Sequence, residues 1–242
     1  MKVLAAVDKF RGTATAAQVA TAIGHACWQL GHDCVERPLA DGGEGTLEAL
    51  GGANRTTLVT GPLGKPVQAP WRLHRGTAVI EMACASGLLL AGGREKNDPI
   101  AATTTGTGEL IDAALDLGAK RIIVCLGGSA TTDGGLGAVK AIQTPARLKG
   151  VEFVVACDVT TQFTDAAKVF GSQKGASPAQ VQFLKHDSRN WFTFINKIMA
   201  LMSQKFLVPA LPAVWLVAWP HSALNWCLVL ISSPKKSNSM FC

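Results

Sequence analysis

Residues 125–135 read Cys-Leu-Gly-Gly-Ser-Ala-Thr-Thr-Asp-Gly-Gly and gather more groups suited to chemistry than any other stretch of the chain. Glycines let backbone N–H groups approach an anion closely. Ser129, Thr131 and Thr132 add hydroxyl donors, and Asp133 offers a carboxylate for a metal ion or a proton. The loop does not end in Gly-Lys-Ser/Thr, so it is not a Walker A motif. A second glycine loop, Asp41-Gly42-Gly43-Glu44-Gly45, sets two carboxylates three residues apart ahead of a helical pattern at Leu47 and Leu50. An acidic helix start is also favourable by dipole alone. A third segment, Asp8-Lys9-Phe10-Arg11-Gly12, carries two cations placed to meet phosphate charge, and equally suited to a solvated loop. Lys174 is a further candidate cation, and Asp158 closes an apolar run at 151–157, the favoured place for a ligand carboxylate or a plain turn cap.

These types match phosphoryl transfer, which needs neutralised phosphate charge, a metal ion and a positioned acceptor hydroxyl. Amide-rich loops at Gly42–Gly45 and Gly127–Gly135 can cradle phosphates. Asp41, Glu44, Asp133 and Asp158 can bind Mg²⁺, which prefers one or two carboxylates plus substrate oxygens. Lys9, Arg11 and Lys174 can meet phosphate or a substrate carboxylate.

The elements that must position these groups follow from the apolar pattern. The run Arg121-Ile-Ile-Val-Cys-Leu126, stopped by paired glycines, reads as a buried strand of a parallel sheet. Ligands of such sheets bind at the carboxyl ends of strands. Strands are predicted over 3–7, 78–82, 122–126 and 153–157. Helices are predicted over 16–30, capped by Thr13 or Thr15, over 109–117, stopped by Gly118, and over 178–184. The helix opened by Thr103–Glu109 could hold an anion on its free N–H groups, with ordinary capping the preferred reading. The fold class is α/β, a mostly parallel sheet with flanking helices.

Other classes find little support. The formal charge of +6 comes almost wholly from the last 58 residues, which hold six Lys/Arg and one acid, so the main body gives no ground for nucleic-acid binding. The seven cysteines form no C-x-x-C pair and read as reduced thiols of a cytoplasmic protein. The apolar stretch at 3–7 is too short for a secretory signal. Gly106-Thr107-Gly108 lacks the third glycine of a dinucleotide fingerprint, since Ile111 stands there.

Together the three loops resemble the bacterial-type glycerate kinase family. The resemblance covers roughly 1–184 and includes Thr60-Gly61-Pro62-Leu63-Gly64, Ile80-Glu81-Met82-Ala83, Thr103-Thr104-Thr105-Gly106-Thr107-Gly108-Glu109 and Phe170-Gly171-Ser172-Gln173-Lys174-Gly175, in family order. It implies two α/β domains with the site in the cleft between them. It implies an ATP- and Mg²⁺-dependent kinase that phosphorylates D-glycerate at the 2-hydroxyl, giving 2-phosphoglycerate. Asp41 and Asp133 are then expected to be catalytic, with Glu44 and Asp158 on the metal. Lys9, Arg11, Gly42, Gly43, Ser129 and Lys174 would bind phosphate or substrate. A small-molecule binder without catalysis, or a pseudogene product, is the alternative from a different class.

Two departures from the family pattern stand out. The segment 141–147 joins the DGG loop to the next strand more briefly than the family does, which reads as an internal deletion. Composition also breaks near residue 185: all 25 glycines precede it, where about 7% usage would place roughly four beyond it. Residues 206–231 are apolar enough for a membrane anchor, although Pro209, Pro212 and Pro220 weaken that reading. The sharper reading of 185–242 is an out-of-frame tail. Shifted by two bases, Trp219-Pro220 gives Ala, Asn225-Trp226 gives Leu and Trp226-Cys227 gives Val. The freer positions over 206–214 then allow the family's glycine-rich C-terminal segment. The fold is accordingly expected to be incomplete at its C-terminus, and this chain to show little kinase activity.

Overall fold

The computed structural model describes residues 1–10 and 13–205. The chain begins with a small unit of β1 (Lys2–Ala5), α1 (Ala16–Gln29) and β2 (Asp33–Glu36), in which the two strands pair in parallel. Thr15 starts α1: its hydroxyl accepts from Gln18 N–H, and Gln18 returns the bond to the Thr15 N–H, a reciprocal cap that satisfies two orphan donors. A short α2 (Thr46–Ala49) leads to β3 (Arg55–Thr60), β4 (Pro66–His74) and β5 (Thr77–Glu81). There follow α3 (Ala83–Ser86), α4 (Thr105–Asp116), β6 (Arg121–Cys125), α5 (Leu136–Ala141) and β7 (Glu152–Ala156). The described chain closes with α6 (Phe163–Phe170) and α7 (Pro178–Lys205).

The main sheet has five strands in sequence order, β3 to β7. Its first three are antiparallel; β5, β6 and β7 are parallel. The tight β4–β5 connection explains the antiparallel start. Arg75 (φ 47°) and Gly76 (φ 76°) both take positive φ, the two-residue turn whose twist suits a hairpin. The parallel strands need crossovers, supplied by α3 and α4 and then by α5.

The core lies on the α4 face of this sheet. Leu110, Ile111, Ala114 and Leu115 of α4 pack on Ile80, Ile122 and Val124, with Trp71 buried and its indole N–H donating to Thr57 Oγ1 at 2.9 Å. On the opposite face Leu47 meets Val79 and Cys125. Helices therefore cover both faces, as a parallel sheet requires.

The expected parallel strands are all present, each of the three in the main sheet beginning one residue earlier than the pattern placed it. Strands β2, β3 and β4 and helix α6 were not marked by the pattern. In β4 the prolines hid the strand. Pro66 and Pro70 pair only with β3, because β5 reaches only Arg72–His74, so each needs to feed a ladder on one side alone. The helix expected over 178–184 runs on to Lys205, so the change in composition at 185 falls inside α7. The rest of the suspected out-of-frame tail, including the 206–231 anchor candidate, lies outside the described residues. Among the described residues no helix is long and apolar enough to cross a membrane.

Candidate active site

The carboxyl ends of β1, β2, β6 and β7 open onto one cleft of about 990 Å³. Two glycine loops meet at its floor. The Gly127 N–H donates to the Gly42 carbonyl at 3.1 Å. A Cβ on Gly127 would land on the Gly43 Cα, and one on Gly42 (φ 87°) would come within 2.5 Å of the Ala156 carbonyl oxygen. Only glycine permits this approach. Glu44 reaches across the junction, since a Cβ on Gly128 would lie 3.0 Å from Glu44 Oε1.

In the loop after β2, Asp41 Oδ1 accepts from the Lys9 ammonium at 3.0 Å and from the Gly43 N–H at 2.8 Å. Partial burial alone would raise the Asp41 pKa. The Gly43 N–H and the Lys9 charge outweigh it and hold the carboxyl below its ordinary value. Lys9 lines the cleft, with Asp41 behind it. Gly43 and Glu44 line the cleft, whereas Gly42 is buried against the end of β7.

Asp133 has a different environment from the one its sequence suggests. Its Oδ2 accepts from Thr104 N–H (2.9 Å), Thr104 Oγ1 (2.8 Å) and Gly137 N–H (3.1 Å), and its Oδ1 from Gly135 N–H (3.0 Å). Thr104 Oγ1 in turn accepts from the Ala138 N–H at 2.9 Å. The carboxylate thus ties the start of α4 to the start of α5. With four donors on its two oxygens, this cleft-lining carboxylate clamps the two helix starts together. At the start of α4, Thr103 Oγ1 accepts from the Thr105 N–H at 3.2 Å, whereas Thr104 makes no side-chain cap bond to its own helix and turns to Asp133 instead.

Lys174, in a turn after α6, is only 8% exposed and lines the cleft. Its ammonium donates to the Ser129 carbonyl and the Ser129 hydroxyl. Ser129 Oγ donates on to the Thr131 carbonyl at 3.3 Å. Among the described residues no carboxylate forms an ion pair with Lys174. Burial pushes its pKa down to about 8, with the Asp133 charge acting in the opposite sense. Asn97 anchors the turn, donating from Nδ2 to the carbonyls of Ala130 (2.9 Å) and Lys174 (2.8 Å).

Glu44 and Asp158 also line the cleft, both exposed, and neither carboxylate has a hydrogen-bond or ion-pair partner among the described residues. The structure therefore gathers Lys9, Gly43, Glu44, Ser129, Asp133, Asp158 and Lys174 around one cleft, with Asp41 directly behind. Arg11 lies outside the described residues. Sequence reasoning passed over Thr104, Asn97 and Glu81. Thr104 and Glu81 stand in motifs quoted above, without a role, and Glu81 is also the one charged residue in the otherwise apolar run 78–85.

Comparison with known proteins bears on the same architecture. A family model described as "Glycerate kinase family" matches in two segments, residues 3–145 and 142–209. The chain is 39% identical to Glycerate 2-kinase of Escherichia coli (strain K12), over 82% of this chain and 62% of that protein. It is 37% identical to Glycerate kinase of Bacillus subtilis (strain 168), with the same coverage. A crystal structure assigned to glycerate kinase 2 of Salmonella typhimurium LT2 superposes with a TM-score of 0.68 at 38% identity, covering 79% of this chain and 61% of that one. The chain thus spans about 62% of the length of the curated relatives it matches. The 238 positions aligned with the Escherichia coli protein take up 82% of these 242 residues, about 198, so about 40 positions of that relative face no residue here. A family match from residue 3 to 209, a shared fold and identities near 40% place this chain in the glycerate kinase family.

Proposed function

We propose that the cleft is built for ATP-dependent phosphorylation of D-glycerate, with 2-phosphoglycerate as product. The observation that carries this reading is the buried Lys174 ammonium with no carboxylate partner, facing a cleft that also holds Lys9 and two partner-free carboxylates. A buried charge is costly unless an opposite charge meets it. The ligand that completes this site is an anion, and both glycerate and ATP qualify.

Lys9 and Lys174 bind phosphate or the glycerate carboxylate, and Ser129 presents the Lys174 ammonium. The glycine loop from Gly127 to Ser129 adds backbone N–H groups. Among the described residues those of Gly128 and Ser129 have no acceptor. Asp41 is assigned the proton-accepting role, its Oδ1 held by the Lys9 ammonium and the Gly43 N–H. Asp133 positions α4 and α5. Glu44 and Asp158, both lining the cleft without a partner among the described residues, would hold a Mg²⁺ ion, which takes one or two carboxylates plus substrate oxygens. Bound there, it would neutralise phosphate charge. Five free cysteines among the described residues accord with a reducing, cytoplasmic setting.

A second reading, binding without turnover, is favoured by one observation. The two family-matched segments meet at 142–145, at the short join after α5. We read this as an internal deletion beside the Asp133 clamp. Positioning governs phosphoryl transfer, and about 1 Å of misplacement can cost about a hundredfold. Coupled ADP release with D-glycerate tests both readings, run on this chain and on one with the family's join and C-terminal segment restored. The expected outcome is turnover by the restored chain and little by this one. Binding without turnover in both establishes the binder, and equal turnover in both removes the role given to the join.

A further inference from the structure

Resting on the proposed site, we infer that Glu81 is a positioning residue that fixes the Asp41–Glu44 loop against the main sheet. It is the last residue of β5 and is 6% exposed. Its Oε1 accepts from the Gly45 N–H at 3.2 Å and its Oε2 from the Leu47 N–H at 3.0 Å. Those two N–H groups lie at the start of α2, where no helical carbonyl can serve them. Glu81 lies behind the cleft wall and does not line it.

The choice of glutamate follows from this arrangement. Two donors converge on one side chain, so both of its terminal atoms must be acceptors, and only a carboxylate offers that. Among the described residues no lysine or arginine pairs with it. Its surroundings are the Cys84 and Cys125 thiols, each pushed up first by burial and then by the Glu81 charge, to about 11 and about 12. Among the described residues the carboxylate is therefore held by the loop N–H groups alone. Together with the Gly127-to-Gly42 bond, this fastens the loop at two points, to the end of β5 and to the end of β6. Gly43 and Glu44 lie between the two fastenings. Their place over Gly128 depends on both.

Amide hydrogen exchange of the full chain tests this without any substitution. Gly45 and Leu47 N–H groups should be protected to within about tenfold of the β5 amides, although they belong to no strand and no completed helical turn. Random-coil exchange at either amide overturns the inference. Glu81→Gln presents an NH₂ to one of the two donors. It should speed exchange across 43–47 at least tenfold, leave the β6 and β7 amides unchanged, and weaken ATP–Mg²⁺ binding by isothermal titration about tenfold. Glu81→Asp, which keeps both acceptors on a shorter arm, should recover part of each effect. Faster loop exchange with unaltered ATP–Mg²⁺ affinity would overturn the positioning role. If the wild-type chain binds no ATP–Mg²⁺, the proposed function fails, while the exchange readout still decides what Glu81 holds.

Discussion

The five-stranded sheet and the β1–α1–β2 unit carry comparable shares of the candidate site but are built to different standards. The sheet buries Trp71, Ile80, Leu110 and Ile122 almost completely against α4. The N-terminal unit buries little beyond Ala5, Ala16 and Ala20, and leaves Leu4 (64%), Trp28 (79%) and Leu30 (73%) exposed. Two strands are marginal on their own, and stability follows the apolar area removed from water. Lys9, Asp41 and Glu44 hang from the weaker unit, and Ser129 and Asp133 from the stronger one. The chemistry of the cleft therefore depends on how well a poorly packed unit is tied to a well-packed one. The ties are backbone contacts at Gly42 and Gly127 and the two bonds to Glu81.

The largest expected effect tests the difference in packing directly. Ile122→Ala should cost about 2–5 kcal/mol of unfolding free energy, since it empties a fully buried site. Leu4→Ala, at an exposed position, should stay within about 0.5 kcal/mol. Denaturant midpoints measure both, and similar costs for the two would erase the distinction between the regions.

The two cations sharpen the comparison at the level of the site. Lys174 is buried without a carboxylate, whereas Lys9 is paired with Asp41. Lys174→Met should weaken ATP or glycerate binding by about tenfold to a hundredfold, the worth of about 1.5–3 kcal/mol for a hydrogen bond to a charged group. Its pKa near 8 fixes the pH dependence. The ammonium is present below that value, so anion affinity should be full at neutral pH and fall as pH rises through 8. The ligand-free chain should behave oppositely. Between the folded value near 8 and the ordinary 10.5 the unfolded state binds more protons, so stability rises with pH there. Titration calorimetry and thermal melts from pH 7 to 10 measure the two trends, and Lys174→Met should abolish both.

The smallest effect belongs to the weaker unit. The Asp41 pKa is depressed, so its contribution is fully present above its ordinary value of 3.8 and is lost as pH falls through the lower folded value. Lys9→Met should reduce that acid dependence without changing the main transition at neutral pH. A shift of the neutral-pH midpoint as large as that of Ile122→Ala would show the two units to be one cooperative body.

The parallel half of the main sheet was legible because β5 and β6 are largely buried and, with the half-buried β7, read as mostly apolar runs. The antiparallel half was not, because β3 is largely exposed and β4 carries prolines that a one-sided strand tolerates. At the site, glycine loops announced themselves by composition, and they line one cleft at strand ends. The hydrogen-bond surroundings of Asp133 were not readable. A carboxylate among glycines looks alike whether it faces a substrate or is ringed by N–H groups, and the deciding partner, Thr104, lies 29 residues away in sequence. Asn97 was silent for the same reason, its contact with Lys174 spanning 77 residues.

The junction of Gly42, Gly43 and Gly127 has a consequence for how such a protein changes over generations. Main chain lies directly on main chain there, with no side chain between the two surfaces. A seam of this kind has no dial: no exchange of one residue type for another can widen it slightly or tilt it a few degrees. Substitutions can only leave it alone or force it apart. Heritable adjustment of the cleft must come instead from the lengths of the segments leading into it, so that insertions and deletions, more than point changes, become the means by which its shape is explored.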